Sequence, residues 1–229
     1  MLISRNKPSV VRQAGRALLL LLFLLILLRL FFIVPARVLS ASMMPSLQIG
    51  DILLVNKMSY GLWLPFSNIK IMNIGKPDRG DVILFAFPGN KKKAYLKRVI
   101  GLPGDVITLQ DHTLSLNGRN IPVKSIGEQI SVTVNHKSRL LEEEKEMLPG
   151  QNHAVLFDKN LSCNGKLTRY EVPAGRYFVL GDNRQYSFDS RAWGFVPEKN
   201  LIGHPFVILF SWNPVMNRVD WSRTGMRVQ

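Results

Sequence analysis

The chain has 229 residues, enough for one compact domain with an insertion or for two small ones, and its 46% apolar and 20% charged residues exclude a disordered chain. Thirty Lys and Arg against sixteen Asp and Glu give a formal net charge of +14, which points to an anionic partner, either nucleic acid or an acidic lipid surface. The single cysteine, Cys163, excludes an intrachain disulfide, and His112, His136, His153 and His204 are scattered without ligand spacing, so no metal site is expected.

Ala17 to Val34 is apolar except for Arg29. A helix of that length is about 27 Å long, close to the hydrocarbon thickness of a bilayer. Arg5, Lys7, Arg12 and Arg16 precede it. The positive-inside rule then keeps residues 1–16 in the cytoplasm and places residues 35–229 on the outer side of the membrane. A cleavable secretory signal is the alternative, with Leu39-Ser40-Ala41 as a tolerable cleavage site.

After Pro35 the chain changes to short apolar runs broken by Gly, Pro, Asn and Asp. Strands are predicted at 51–56, 81–87, 95–101, 105–109, 113–116, 130–135, 176–180 and 206–211. Pro103-Gly104 marks a turn, and Asn117-Gly118 marks a hairpin turn. Ser138–Leu148 reads as a helix capped by Ser138 and stopped by Pro149-Gly150, with Glu142 to Glu146 on a solvated face. The stretch 111–171 is more polar and less patterned, as in an insertion. Phe206 and Phe210 read as core packing, whereas Trp212 and Trp221 fit either the core or a lipid interface. The fold expected is mostly β: a single N-terminal transmembrane helix, then an antiparallel sheet core with an inserted β-rich region.

Three segments stand out. They are Ser40-Ala41-Ser42-Met43-Met44-Pro45-Ser46-Leu47, then Tyr95-Leu96-Lys97-Arg98-Val99-Ile100-Gly101-Leu102-Pro103-Gly104-Asp105, then Gly181-Asp182-Asn183-Arg184 through Ser187, Asp189, Ser190 and Arg191 to Trp193-Gly194-Phe195-Val196-Pro197. Each alone has a structural explanation as a loop, a strand or a turn. Together, and in this order, they closely resemble the bacterial type I signal peptidases (leader peptidases), which are Ser/Lys-dyad serine peptidases.

The resemblance implies a β catalytic core in two parts, 35–110 and 172–229, around an inserted region 111–171, behind a transmembrane anchor at 17–34. It implies Ser42 as nucleophile and Lys97 as general base, with Ser187 orienting the lysine. Ser40 and the Ser42 N–H would form the oxyanion hole. Asp189 with Arg191 would be a supporting ion pair, and Asp182 and Arg184 would be structural. The substrate pocket would be lined by Val38, Leu39, Met43, Leu47, Tyr95 and Leu96. The sequence departs from the family at Leu39, Ala36 and Gln185-Tyr186, which bears on pocket preference. No cofactor is implied. The partners implied are signal peptides of preproteins, cut after small residues in an Ala-x-Ala pattern, with anionic membrane lipids and proximity to the secretion translocon. The location implied is the bacterial inner membrane with the catalytic domain on the periplasmic side. A retained anchor agrees with this, because cleavage after Ala41 would separate Ser40 from Ser42.

The chemistry is coherent. A serine hydroxyl is a weak nucleophile until a base takes its proton, and lysine is a base only when neutral. At a reference pKa of about 10.4, roughly one lysine in a thousand is neutral near pH 7.4. Lys97 lies in an apolar strand-like run, where burial disfavours the ammonium. Regular alternation puts Tyr95, Lys97 and Val99 on one face and Arg98 on the other. Rival readings are a penicillin-binding enzyme using Ser67-Asn68-Ile69-Lys70, a conjugation-pilin maturation peptidase of the same superfamily, and a non-catalytic membrane-tethered β-domain. Nucleic-acid binding is excluded by the topology and by the lack of a motif.

Overall fold

A computed structural model describes residues 10–63, 70–134, 137–161, 165–213 and 216–228. Helix α1 (Val10–Phe31) leads into β1 (Ile33–Arg37) and β2 (Asp51–Asn56). A ribbon of β3 (Leu62–Trp63) and β4 (Lys70–Met72) follows, then the hairpin of β5 (Val82–Phe87) and β6 (Asn90–Gly101). Next come β7 (Val106–Gln110), β8 (Thr113–Leu116), β9 (Arg119–Asn120), β10 (Val123–Val134), β11 (Lys137–Leu148), β12 (Gln151–Phe157), β13 (Leu167–Glu171) and β14 (Arg176–Leu180). The one-turn helix α2 (Ser190–Trp193), β15 (Val196–Pro197), β16 (Leu201–Asn213) and β17 (Arg218–Val219) complete the order.

The architecture is mostly β and antiparallel, as expected. The largest sheet runs β1-β2-β16-β5-β6-β14-β15, with β17 paired to β16. It draws its strands from both ends of the domain, 33–101 and 176–219. The strands between them form a sheet of order β13-β7-β8-β9 and another of order β10-β11-β12. Strand β5 shows why the central sheet is apolar on both faces. Val82 and Leu84 pack with Val38, Met43, Leu47 and Ile208, whereas Ile83 and Phe85 pack with Val99, Tyr177 and Val179. A strand covered on both sides reads as a continuous apolar run rather than as an alternation. The turn between β8 and β9 has Asn117 and Gly118 at φ of 51° and 79°, the conformation that Asn-Gly favours in a tight hairpin.

Residues 138–148 are not a helix. They lie in β11, paired with β10 on one side and β12 on the other. Leu, Glu, Lys and Met favour helix, but tertiary pairing overrides that preference. The period-2 signal is missing because β11 serves two cores. Leu141 packs with Val132 and Leu156, and Leu148 packs with Ile100, Leu114 and Leu180. The inward positions therefore change parity along the strand. Glu146 is not solvated either. It is fully buried and holds Arg184 in a two-pronged ion pair, with Oε1 accepting from Nη1 at 2.6 Å and Oε2 accepting from Nη2 at 2.5 Å. Phe206 is likewise exposed rather than packed in the core, and Phe210 is half-buried.

Helix α1 carries exposed leucines from Leu18 to Leu25. Among the described residues, no helix is long and apolar enough to cross a membrane. The side chains of 27–31, Arg29 included, lie outside those described, as do residues 1–9 with Arg5 and Lys7, and also Ser67, His136 and Cys163.

Removing Glu146 leaves a buried guanidinium unpaired, which typically costs 3–5 kcal/mol, roughly. Glu146→Ala in the full chain, unfolded by urea in detergent micelles, is expected to lose about that much stability. Glu146→Ala with Arg184→Met is expected to recover most of it. A single variant within about 0.5 kcal/mol of wild type, the range of ordinary surface changes, would show that the pair does not hold β11 to the core.

Candidate active site

After β1 the chain runs through Val38 and Ser40 into a 3-10 turn at Ala41–Met43. Two backbone hydrogen bonds pin its entry to the start of β2: Val38 N–H donates to Asp51 O at 2.8 Å, and Gly50 N–H donates to Val38 O at 3.0 Å. The loop after β14 holds its other side. Asn183 N–H donates to Ser42 O at 3.1 Å, and its side-chain amide donates to Ala41 O at 3.2 Å. Strand β12 fixes that loop in turn, through Leu156 N–H to Asp182 O and Arg184 N–H to Leu156 O. Met43 and Leu47 are buried in the core beneath the turn, so Ser42 sits on packed apolar support.

Lys97 projects from β6 onto this turn. Its Nζ is 2.7 Å from Ser42 Oγ and donates to Leu96 O at 3.0 Å. It also lies 5.8 Å from the Tyr95 ring centroid, so Tyr95 and Lys97 share a side of the strand. Lys97 is only 4% exposed. Burial lowers its pKa to about 8; Asp189 and Asp182 pull it back up, and Arg191 pushes it down. At that value about a tenth of the lysine is neutral at pH 7.

Both carboxylates near the lysine are occupied. Asp182 is fully buried and accepts from Arg98 Nε at 2.8 Å, from Arg98 Nη2 at 2.7 Å and from Ser46 Oγ at 2.6 Å. The Arg98 guanidinium holds the Asp182 carboxyl below the usual carboxylate range, against the opposing effect of burial. Asp189 accepts from Arg191 Nε at 2.8 Å and Nη2 at 2.7 Å, and also from Gly181 N–H at 3.0 Å. Arg191 Nη2 donates in addition to Arg184 O. These pairs leave little unbalanced negative charge to stabilise the Lys97 ammonium.

Ser40 Oγ lies 3.1 Å from Ser42 Oγ. Ser187 Oγ is buried and has no hydrogen-bond partner among the described residues. It lies where a Cβ on Gly181 would come within 2.2 Å of it and within 2.4 Å of Ser42 O. Gly181 therefore permits the Ser42 turn and the Ser187 segment to close on each other. Of the six residues expected to line a substrate pocket, Val38, Met43, Leu47 and Leu96 pack in one cluster. Tyr95 instead stacks on Phe87 with ring centroids 4.8 Å apart, and Leu39 is 77% exposed.

Sequence reasoning missed several of these contacts. Arg98 was read only as facing away from Lys97, but that opposite side is the buried Asp182 pair. Asn183 was read as part of a turn, but it brackets the Ser42 turn. Glu146 was hidden in a run of charges. The rival Ser67–Lys70 motif gains nothing, since Lys70 is 2.9 Å from Glu198 and Ser67 lies outside the described residues. Among the described residues no cluster of His, Cys, Asp and Glu could hold a metal ion.

The family model for signal peptidase, peptidase S26, matches residues 11–210. The chain is 35% identical to a signal peptidase I of Pseudomonas fluorescens over 96% of its own length and 81% of the relative's. It is 33% identical to a signal peptidase I of Aquifex aeolicus over 75% of this chain and 73% of that one. A solved signal peptidase I of Enterococcus faecalis V583 is 32% identical, covering 58% of this chain and 98% of the other at a TM-score of 0.34. Sequence similarity over nearly the whole chain and a family match across most of it agree: this protein belongs to the peptidase S26 family, the signal peptidases.

Proposed function

We propose that this chain is a membrane-bound serine endopeptidase that removes N-terminal signal peptides from exported preproteins, with Ser42 as nucleophile and Lys97 as general base. The observation that carries the reading is the buried Lys97 Nζ at 2.7 Å from Ser42 Oγ. In the neutral form, Nζ accepts the Ser42 proton as Oγ attacks the scissile carbonyl carbon. The resulting ammonium then protonates the amine as the C–N bond breaks. Water, activated by the same lysine, hydrolyses the acyl ester and restores Ser42. Negative charge on the former carbonyl oxygen is met by the Ser40 hydroxyl and the Ser42 backbone N–H. Support comes from Ser40 Oγ at 3.1 Å and from the turn itself, whose first N–H groups have no carbonyl within the turn to bond. Ser187, its hydroxyl uncommitted beside Gly181, is the residue we assign to orienting the lysine.

Specificity for small residues, in an Ala-x-Ala pattern, fits a surface above the tightly packed cluster of Val38, Met43, Leu47 and Leu96, since a packed apolar floor excludes larger side chains. We read α1 as a retained anchor, with the basic N-terminus in the cytoplasm and the β domain outside the bacterial inner membrane. Its exposed leucines form an apolar surface that no part of the described chain covers, and lipid would cover it. Trp221, 73% exposed, and the exposed Phe206 extend the apolar surface on the β domain, and the surplus of basic residues suits anionic headgroups. The inserted region 111–171 supports the site through β11 and β12.

Detergent-solubilised wild type is expected to cut a purified preprotein after its Ala-x-Ala site, as read by mass spectrometry. Ser42→Ala and Lys97→Ala are expected to leave no cleavage above background. Equal cutting by all three would remove the dyad, and cutting by none would favour a specialised maturation peptidase or a non-catalytic domain.

The base must be neutral, so kcat/KM is expected to rise about tenfold per pH unit below pH 8 and to level off above it, following the Lys97 pKa of about 8. A flat profile from pH 6 to 9 would rule out lysine as the base. Ser40→Ala is expected to lower kcat by about 10² to 10³ with KM little changed, the usual cost of one oxyanion donor. A Ser40→Ala variant as inactive as Ser42→Ala would overturn that division of roles.

A further inference from the structure

Behind the Arg98–Asp182 pair lies a cavity of about 420 Å³ that the peptidase mechanism does not use. Its lining includes Ser46, Arg98, Glu143, His153, Arg223 and Arg227, an unusual gathering of cationic side chains. Two of the guanidiniums are committed. Arg98 is tied to Asp182, and Arg223 is tied to Asp51 through Nε at 3.0 Å and Nη2 at 2.7 Å. Arg223 Nη1, however, has no partner among the described residues. Arg227 is exposed and forms no ion pair or hydrogen bond among them.

His153 also lines the cavity but adds no charge to it. Its ring is nine-tenths buried, with Nε2 3.3 Å from Glu146 Oε2 and 3.9 Å from Asp182 Oδ1, and both carboxylates are held by arginines. Burial outweighs the pull of the carboxylates and lowers the His153 pKa to about 4, so the ring is neutral. The positive charge that faces the cavity therefore comes from the arginines.

The geometry points to a binding site for a phosphate-class oxyanion, held between Arg227 and the free Nη1 of Arg223. Guanidinium N–H groups from two side chains suit a tetrahedral oxyanion, and the guanidinium fork is well matched to phosphate. The cavity is far larger than the roughly 30 Å³ share of one water, so it has room for a phosphate carried on a larger group. The mouth borders exposed apolar surface. Met226 is exposed beside Arg227, and their segment bonds along β16 through Val228 N–H to Phe206 O and Gly225 N–H to Ile208 O. The phosphate is therefore either a free ion or part of a lipid headgroup. Glu143 is the opposing feature. It is the one acidic residue lining the cavity, with its carboxyl pKa raised by burial and by the neighbouring Glu128, and its charge opposes an anion there.

The test uses the full-length protein in dodecyl maltoside, with thermal unfolding followed at constant ionic strength. It is titrated with inorganic phosphate against chloride, and with dihexanoyl phosphatidylglycerol against dihexanoylglycerol, which lacks the phosphate. A saturable rise in Tm with phosphate identifies the free ion. A rise only with the phosphatidylglycerol identifies the headgroup. In either case Arg227→Gln is expected to raise the apparent Kd at least tenfold, Glu143→Gln to lower it, and Arg218→Gln, an exposed arginine outside the cavity, to leave it unchanged. No saturable rise with either ligand would overturn the site, and so would equal loss in Arg227→Gln and Arg218→Gln or weaker binding by Glu143→Gln. Both variants of surface arginines leave the buried ion pairs intact, so misfolding does not confuse the outcome. The readout is binding, so it stands or falls apart from peptide cleavage.

Discussion

The site is organised around a lysine amine kept inside the protein, 2.7 Å from a serine oxygen, which the proposed dyad requires to be neutral enough to act. Lowering its pKa from 10.5 to about 8 costs the fold about 3 kcal/mol while the amine is charged. Burial achieves the shift, but burial alone would be undone by the two aspartates nearby. Asp182 and Asp189 would each stabilise the ammonium if left bare. Arg98 and Arg191 occupy them, so the lysine sees paired charges rather than free carboxylates. The ion pairs are thus part of the electrostatic setting of Lys97 and not only struts.

The sequence order Lys97-Arg98 follows from strand geometry. Successive side chains on β6 point to opposite sides, so one residue meets Ser42 and the next meets Asp182. One of the two carboxylates near the amine, Asp182, is therefore served from the same strand that carries Lys97. The loop after β14 completes the arrangement from the other direction. Asp182 takes Arg98, Asn183 holds the Ser42 turn, and Arg184 locks onto Glu146 of β11. Three consecutive side chains connect the site to two sheets, and Gly181 lets the whole loop approach Ser42.

Much of this was legible in the sequence where a local signal existed. The boundaries of β2, β8 and β14 coincide with apolar runs, and Asn117-Gly118 announced its own hairpin. The pairing of Asp189 with Arg191 lies within one turn of chain and followed from the motif. What was not legible depended on tertiary partners. The misread segment 138–148 has good helix formers and no alternation, and only the pairing with β10 and β12 makes it a strand. Glu146 looks like its charged neighbours until Arg184, 38 residues away, is brought against it. Arg98 in an apolar run gave no sign of which carboxylate it would meet. Phe206 looked like core because exposure on a bulged strand such as β16 does not follow simple alternation.

These long separations bear on how the site comes into being. Ser42 and Lys97 are 55 residues apart, Arg98 and Asp182 84, and Ala41 and Asn183 142. The contacts of Asp182 and Asn183 join the two ends of the domain, and β16 lies between β2 and β5 in the sheet that holds Ser42 and Lys97 together. Closing such loops carries an entropic cost before any contact repays it, which slows their formation. Until β14 and its loop dock, Lys97 lacks the burial and the paired aspartates that set its pKa. A lysine in the unfolded chain keeps its ordinary value and is almost wholly protonated at neutral pH. The proposed dyad and the closure of the fold are therefore linked: Lys97 reaches its shifted pKa only when the last strands have joined the sheet that buries it.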